Sequence, residues 1–180
     1  PALLIKCLCL TMKKRKLLIV AGEPSGDLHA AHLVRALKSI EPHIEIFGVG
    51  GKNMQEAGVE IIHDIVGLAV VGFIEVLKNL RTFKKVLKEL IDVLDTKRPD
   101  VVLLVDYPGF NLRFARYVKE KNIPIIYYIS PQVWAWGKGR VSEIKKYVDK
   151  MIVVFGFEEK LYKEAGVKVN FVGHPFLDIV

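Results

Sequence analysis

The chain has 180 residues, 51% of them hydrophobic, and a formal net charge of +7, with a pI near 9.3. That length carries one domain with a real core, and that hydrophobic share excludes a disordered chain. The positive charge predicts acidic partners: nucleic acid, a phosphorylated substrate or an anionic membrane.

Residues 1–11 are apolar apart from Lys6 and too few to span a bilayer. The basic run Lys13-Lys14-Arg15-Lys16 follows them, the reverse of a signal peptide's order, so secretion is rejected. With Met12 as a natural start, residues 1–11 read as an upstream extension; a short membrane-surface anchor is the alternative. Cys7 and Cys9 are too close for an ordinary disulfide and have no matching pair for zinc. A reduced cytosolic protein follows.

Short apolar runs then alternate with helical patterns. Leu17–Ala21, Ile44–Val49, Glu60–His63, Val101–Val105, Ile123–Ile129, Met151–Phe155 and Val169–Val172 read as strands. The near-pure Val/Leu run at 101–105 predicts a strand buried on both faces. Helices are predicted after Gly26, with Ala30, Leu33, Val34 and Leu37 on one face, and over Leu112–Lys121, Val141–Tyr147 and Glu158–Ala165. This β–α alternation predicts an α/β fold: a Rossmann-like, doubly wound parallel sheet, with the 17–21 and 101–105 strands as central neighbours. Gly173-His174-Pro175 follows the last strand and reads as a domain boundary, giving a domain over 12–175 and an interdomain segment beginning at 176–180.

Four segments carry candidate chemistry. Gly22-Glu23-Pro24-Ser25-Gly26-Asp27 joins the first strand to the first helix, where parallel sheets gather ligands. It lacks the G-x-G-x-x-G fingerprint, and its carboxylates would repel a pyrophosphate, so a nicotinamide dehydrogenase is rejected. Carboxylates accept hydrogen bonds from sugar hydroxyls; a turn with Ser25 as helix cap and Asp27 on the helix dipole explains the residues equally well. Asp106-Tyr107-Pro108-Gly109-Phe110-Asn111 follows the most hydrophobic strand. A turn accounts for Pro108 and Gly109, with Asn111 as a helix cap, but not for an acid directly after five apolar residues; Asp106 is the candidate general base.

Ser130-Pro131-Gln132-Val133-Trp134-Ala135-Trp136 precedes the basic loop Gly137-Lys138-Gly139-Arg140. Tryptophan faces stack on sugars or fill cores, and the loop's cations suit phosphate. In Leu68–Leu94, Leu80, Phe83, Leu87, Leu90 and Leu94 form one helical face, with Lys78, Arg81, Lys84, Lys85 and Lys88 beside it. Leu68, Val70, Val71 and Phe73 precede them. A core helix with a solvated basic face is the commoner origin of such a pattern; an anionic membrane surface is the functional one. The five histidines show no metal spacing and Ser25 no G-x-S-x-G frame, so neither a metal site nor a serine hydrolase is expected. Interleaved aromatic and basic strands of an RNA-binding sheet are missing, so nucleic acid is not expected.

Taken in order, Ala21–Asp27, Gly48-Val49-Gly50-Gly51 with Met54 and Gly58, Gly72–Leu77, Asp106–Asn111, Ser130–Trp136 and Gly173-His174-Pro175 resemble the N-terminal domain of the lipid-A-disaccharide synthase family. The resemblance implies one half of a two-domain GT-B glycosyltransferase, a hexosyltransferase of lipid A biosynthesis. It would join UDP-2,3-diacylglucosamine to 2,3-diacylglucosamine 1-phosphate, releasing UDP and leaving a β-1,6 disaccharide, with no metal or other cofactor. It implies that Asp106 is the general base and that Glu23, Ser25 and Asp27 lie near the acceptor sugar; Gly26, Asn111, Ser130, Gln132, Trp134 and Arg140 are the further substrate-binding candidates. It also implies that the 68–88 segment docks on the anionic inner face of the inner membrane, making the enzyme cytoplasmic and peripheral. The donor-binding C-terminal domain of the family lies outside this sequence, so the chain alone is expected to transfer no sugar. A related GT-B enzyme (the transferase of peptidoglycan synthesis or a UDP-sugar epimerase) and a non-catalytic α/β membrane-binding module are the rival readings.

Overall fold

A computed structural model describes residues 15–66, 80–131 and 139–175. Leu68, Val70, Val71, Phe73, Lys78, Gln132, Trp134, Trp136 and Lys138 lie outside the described residues. Seven strands form one parallel sheet: β1 (Lys16–Ala21), β2 (Glu45–Gly50), β3 (Glu60–Asp64), β4 (Val101–Val105), β5 (Ile125–Tyr128), β6 (Lys150–Val153) and β7 (Val169–Phe171). Their order is β3-β2-β1-β4-β5-β6-β7. The helices among the described residues are α1 (Pro24–Ile40), α2 (Lys52–Glu56), α3 (Leu80–Thr96), α4 (Pro108–Glu120), α5 (Gly139–Tyr147) and α6 (Gly156–Glu164). None of them is long and apolar enough to cross a membrane.

The expected doubly wound sheet is present, and β1 and β4 are its central neighbours. Successive side chains of a strand point to opposite faces. Leu18, Val20, Val102 and Leu104 therefore pack with Val86, Leu90, Phe114 and Ile144 of α3, α4 and α5. Leu17, Ile19, Ala21, Leu103 and Val105 pack with Ala30 and Val34 of α1 on the other face. A helix layer on each face is why β1 and β4 read as continuous apolar runs rather than alternating ones.

Element ends differ from the sequence reading for local reasons. β5 begins after Pro124, which has no N–H for the ladder, and ends where Ile129 turns to φ +62°. β6 stops before Phe155, which is the N-cap of α6. α4 starts at Pro108 rather than Leu112, because proline's fixed φ suits a helix's first turn and its missing N–H costs nothing there. In α3, Val86, Leu90 and Leu94 are buried, and Phe83 and Leu87 pack at the edge of the core. Arg81, Lys84, Lys85 and Lys88 are exposed.

Candidate active site

The strand order reverses between β1 and β4: the chain winds outward from β1 through β2 to β3, then returns to β4 and continues the other way. Such a switch point leaves a crevice beyond the carboxyl ends of the two strands. Ala21 is in register with Val105, so the β1–α1 and β4–α4 loops leave the sheet side by side. The acidic first loop and the Asp106 loop therefore meet, as their places after parallel strands predict.

Asp106 and Tyr107 both adopt left-handed backbone, each with φ +46°. Non-glycine residues there cost about 1–3 kcal/mol and need surroundings that hold them. For Asp106 the hold is visible. Its N–H donates to the Tyr128 carbonyl at 3.1 Å. Its carbonyl accepts from Asn111 Nδ2 at 2.8 Å and from the buried Tyr127 hydroxyl. Burial pushes the Asp106 carboxyl above its ordinary value, partly offset by a hydrogen bond from the Tyr107 backbone. Burial, then the Asp106 charge, raises Glu23 as well. Two carboxyls that disfavour each other's charge thus face one crevice, a setting in which one can hold or take a proton.

Tyr107 closes one wall. Its ring stacks on Phe110 with centroids 6.1 Å apart, and Phe83 of α3 packs against both rings at 6.2 and 6.3 Å. The ring lies over Gly22, where an added Cβ would fall 2.2 Å from Tyr107 Cδ1. Only glycine admits this approach. The small residue expected to let a ligand reach the backbone instead lets in an aromatic ring of the neighbouring loop.

Two capping assignments are corrected. The N-cap of α1 is Glu23, and Ser25 is an exposed residue of the first turn without a capping bond; Pro24 takes the first helical position, which puts the cap at the residue before it, two positions ahead of Ser25. The N-cap of α4 is Tyr107, and Asn111 lies inside the helix. Asn111 is fully buried and its amide donates to the carbonyls of Val105 and Asp106 at 3.2 and 2.8 Å, fastening α4 to the end of β4.

Asp27 is also buried. Its carboxylate accepts from the backbone N–H groups of Gly51, Asn53 and Met54 and from Asn53 Nδ2, at 2.8, 3.0, 3.1 and 2.8 Å. It caps α2 from another helix, because the α2 N-cap, Gly51, has no side chain to do so. The Gly50-Gly51 and Met54 pattern is explained by this anchor: a Cβ on Gly51 would lie 3.0 Å from Asp27 Oδ2. Gly26 is buried at the same loop.

Ser130 is buried and donates its hydroxyl to Glu158 Oε1; Glu158 Oε2 accepts from the Phe155 N–H at 3.3 Å. Arg140 begins α5 and lines a cleft beside Pro108 and Gly109. His174 brings the Gly173-His174-Pro175 segment against α1, its ring edge-on to His29 with centroids 6.2 Å apart. Burial, then the His174 charge, lowers the His29 pKa. Glu23, Ser25, Asp106 and Arg140 thus keep accessible surface at this end of the sheet, while Gly26, Asp27, Asn111 and Ser130 act from beneath. Sequence reading passed over Tyr127 and Glu158. They sit in a strand and a helix with nothing local to mark them. No group of three metal-ligating side chains occurs among the described residues.

Known proteins resemble this chain at two levels. It is 50% identical over 164 residues to a lipid-A-disaccharide synthase of Coxiella burnetii, covering 91% of this chain and 44% of the relative. It is 52% identical over 169 residues to that of Syntrophus aciditrophicus, covering 94% and 44%. The chain thus spans less than half the length of these curated relatives. In fold it is similar to a UDP co-structure of S. aureus MnaA, with TM-score 0.64 and 15% identity over 90% of this chain and 44% of that one. It is also similar to a UDP-GlcNAc 2-epimerase from Neisseria meningitidis bound to UDP-GlcNAc, with TM-score 0.62 and 12% identity over 92% and 47%. The sheet is therefore the α/β half of a GT-B fold. Residues 17–180 match the lipid-A-disaccharide synthetase family, and with half of its residues identical to curated members, the chain belongs to that family.

Proposed function

We propose that this chain is the acceptor-side half of a glycosyltransferase that joins UDP-2,3-diacylglucosamine to 2,3-diacylglucosamine 1-phosphate. Support comes above all from one observation: a strained, half-buried Asp106 beside Glu23 at the switch point of the sheet, in a chain of this family. Asp106 takes the proton of the acceptor's 6-hydroxyl as that oxygen attacks the anomeric carbon of the donor. The bond from that carbon to the UDP oxygen breaks, and UDP leaves with the electron pair. A carboxyl raised toward neutral pH is a better base for a hydroxyl than a free aspartate. Glu23 and Ser25 accept hydrogen bonds from the acceptor sugar, with Gln132, Trp134 and Arg140 completing the site. Gly26, Asp27, Asn111 and Ser130 hold it in shape from below.

The exposed cations of α3 face the anionic inner leaflet, with Leu68, Val70, Val71 and Phe73 as the apolar contact and Lys78 as a further cation. On this reading the protein is peripheral on the cytoplasmic side. Phe83, on the inner side of the same helix, touches Tyr107 and Phe110, so a lipid-facing helix and the catalytic loop share one packing unit. The rival reading as a UDP-sugar epimerase draws on fold likeness alone; the 50% identical relatives favour disaccharide synthesis.

The test uses residues 12–180 with both substrates in detergent, alone and with a separately made C-terminal half of a family member. UDP release coupled to disaccharide is expected only in the combined reaction, and Asp106→Asn should cut it by about 10²- to 10⁴-fold. Near-normal turnover by a folded Asp106→Asn protein would exclude Asp106 as the base.

A further inference from the structure

Beside the Asp106 loop, α4 and α5 enclose a cleft of about 380 Å³. One wall is the first three turns of α4, with Gly109, Arg113 and Arg116 on one face at spacings of four and three. The other wall is the start of α5, which contributes Arg140 and the cleft's acid, Glu143. Three arginines therefore line the cleft with a single acid. Arg116 pairs with Glu120 at 3.4 Å, but that pair is largely exposed and so costs little to rearrange. No ion pair of Arg113 or Arg140 occurs among the described residues. The adjoining cleft, lined by Arg116, Lys119, Glu120 and Lys146, lies farther from Asp106, and its Lys119 is already engaged by Asp149 at 2.6 Å.

We propose that the cleft between α4 and α5 is a phosphomonoester subsite in which Arg113 and Arg140, supported by Arg116, hold the phosphate. Arginine's planar fork matches phosphate oxygens two at a time, and three forks around one cleft suit a dianion with three equivalent oxygens. The N-terminal end of α4 adds the positive end of its dipole. An added Cβ at Gly109 would meet nothing within 4 Å, so the helix start is open on that side. Arg113 lies five residues beyond Pro108, about 7.5 Å along the helix axis. That is roughly one hexose ring away from the Asp106 loop. A sugar whose hydroxyl rests at Asp106 then carries its phosphate into the arginines. The assignment to the acceptor's 1-phosphate rests on the glycosyltransferase reading above; the same chemistry is offered by a phosphatidate headgroup at the membrane.

The test titrates the full chain with N-acetylglucosamine 1-phosphate, N-acetylglucosamine and inorganic phosphate, and floats it with vesicles containing or lacking phosphatidate. The sugar phosphate should bind at least ten-fold more tightly than the unphosphorylated sugar, and more tightly than inorganic phosphate. Arg113→Ala and Arg140→Ala should each weaken it roughly ten-fold or more, the usual effect of losing a charged hydrogen bond. Arg113→Lys, which keeps the charge but loses the fork, should restore only part, and thermal melts check that each variant is folded. Equal binding of the two sugars, or binding indifferent to Arg113 and Arg140, overturns the subsite and leaves the glycosyltransferase reading standing. Arginine-dependent binding of inorganic phosphate with no gain from the sugar keeps the subsite and counts against the acceptor reading. Arginine dependence confined to phosphatidate vesicles keeps the phosphomonoester site and moves its source from acceptor to membrane.

Discussion

Replacing Asp27 with alanine removes one acceptor from four donors at once. Loss of a capping side chain alone costs about 0.5–2 kcal/mol. Here the Gly51 and Met54 donors are buried with it, and a buried N–H left without a partner costs about 1–3 kcal/mol. Water entering the space left by the carboxylate recovers part of that. A net loss of about 3 kcal/mol follows, and at about 2–4 °C per kcal/mol for a domain of this size the melting temperature falls by roughly 6–12 °C. Asp27→Asn should fall between, because its carbonyl still accepts while its NH2 faces other donors. Urea and thermal unfolding followed by circular dichroism measure both. A loss within about 0.5 kcal/mol for Asp27→Ala would refute the anchoring role. So would undiminished stability with abolished binding of the sugar phosphate, which would return Asp27 to direct substrate contact.

Gly22→Ala should displace the Tyr107 ring by more than 1 Å, since its Cβ would lie 2.2 Å from that ring. Overpacking of this kind costs about 1–3 kcal/mol, and the shift carried to Asp106 should lower turnover of the reconstituted enzyme about 10²-fold; normal turnover would show that the loop adapts. Asp106→Asn should stabilise the fold at pH 7. Folding raises this carboxyl above its ordinary 3.8, so its charge opposes folding progressively as pH rises from there through the native pKa. The gain in melting temperature should therefore be present at neutral pH and vanish below about pH 3.8; a constant gain across pH would point to another cause. Binding to anionic vesicles should weaken with salt, and glutamine at Arg81, Lys84, Lys85 and Lys88 should cost up to about 1 kcal/mol per residue. Equal flotation with neutral and anionic vesicles would remove the electrostatic component.

Periodicity and strand-end logic were sufficient for the fold. A Val/Leu run such as 101–105 is stable only with both faces covered, and its alternation with amphipathic helices leaves a doubly wound parallel sheet as the arrangement that buries it. The same rules put Gly22–Asp27 and Asp106–Asn111 after strands, hence at one end of the sheet. Which side chains face the crevice was a different matter. Asp27 and Glu23 stand four apart at the start of α1, yet one is buried under four hydrogen bonds and the other flanks Asp106. Nothing within this stretch separates them, because the donors that claim Asp27 come from residues 51–54. Asn111 reads as a cap from its neighbours, but the carbonyls it holds lie at the end of β4. Tyr127 reads as one more strand residue, yet its hydroxyl reaches the Asp106 carbonyl from the next strand. Arg113 and Arg140 are 27 positions apart and line one cleft only because α4 and α5 pack on the same sheet face. Local sequence determined where a carboxylate could emerge from the sheet. Hydrogen-bond partners and burial, which depend on what long-range packing brings alongside, decided which carboxylates stayed free to do chemistry.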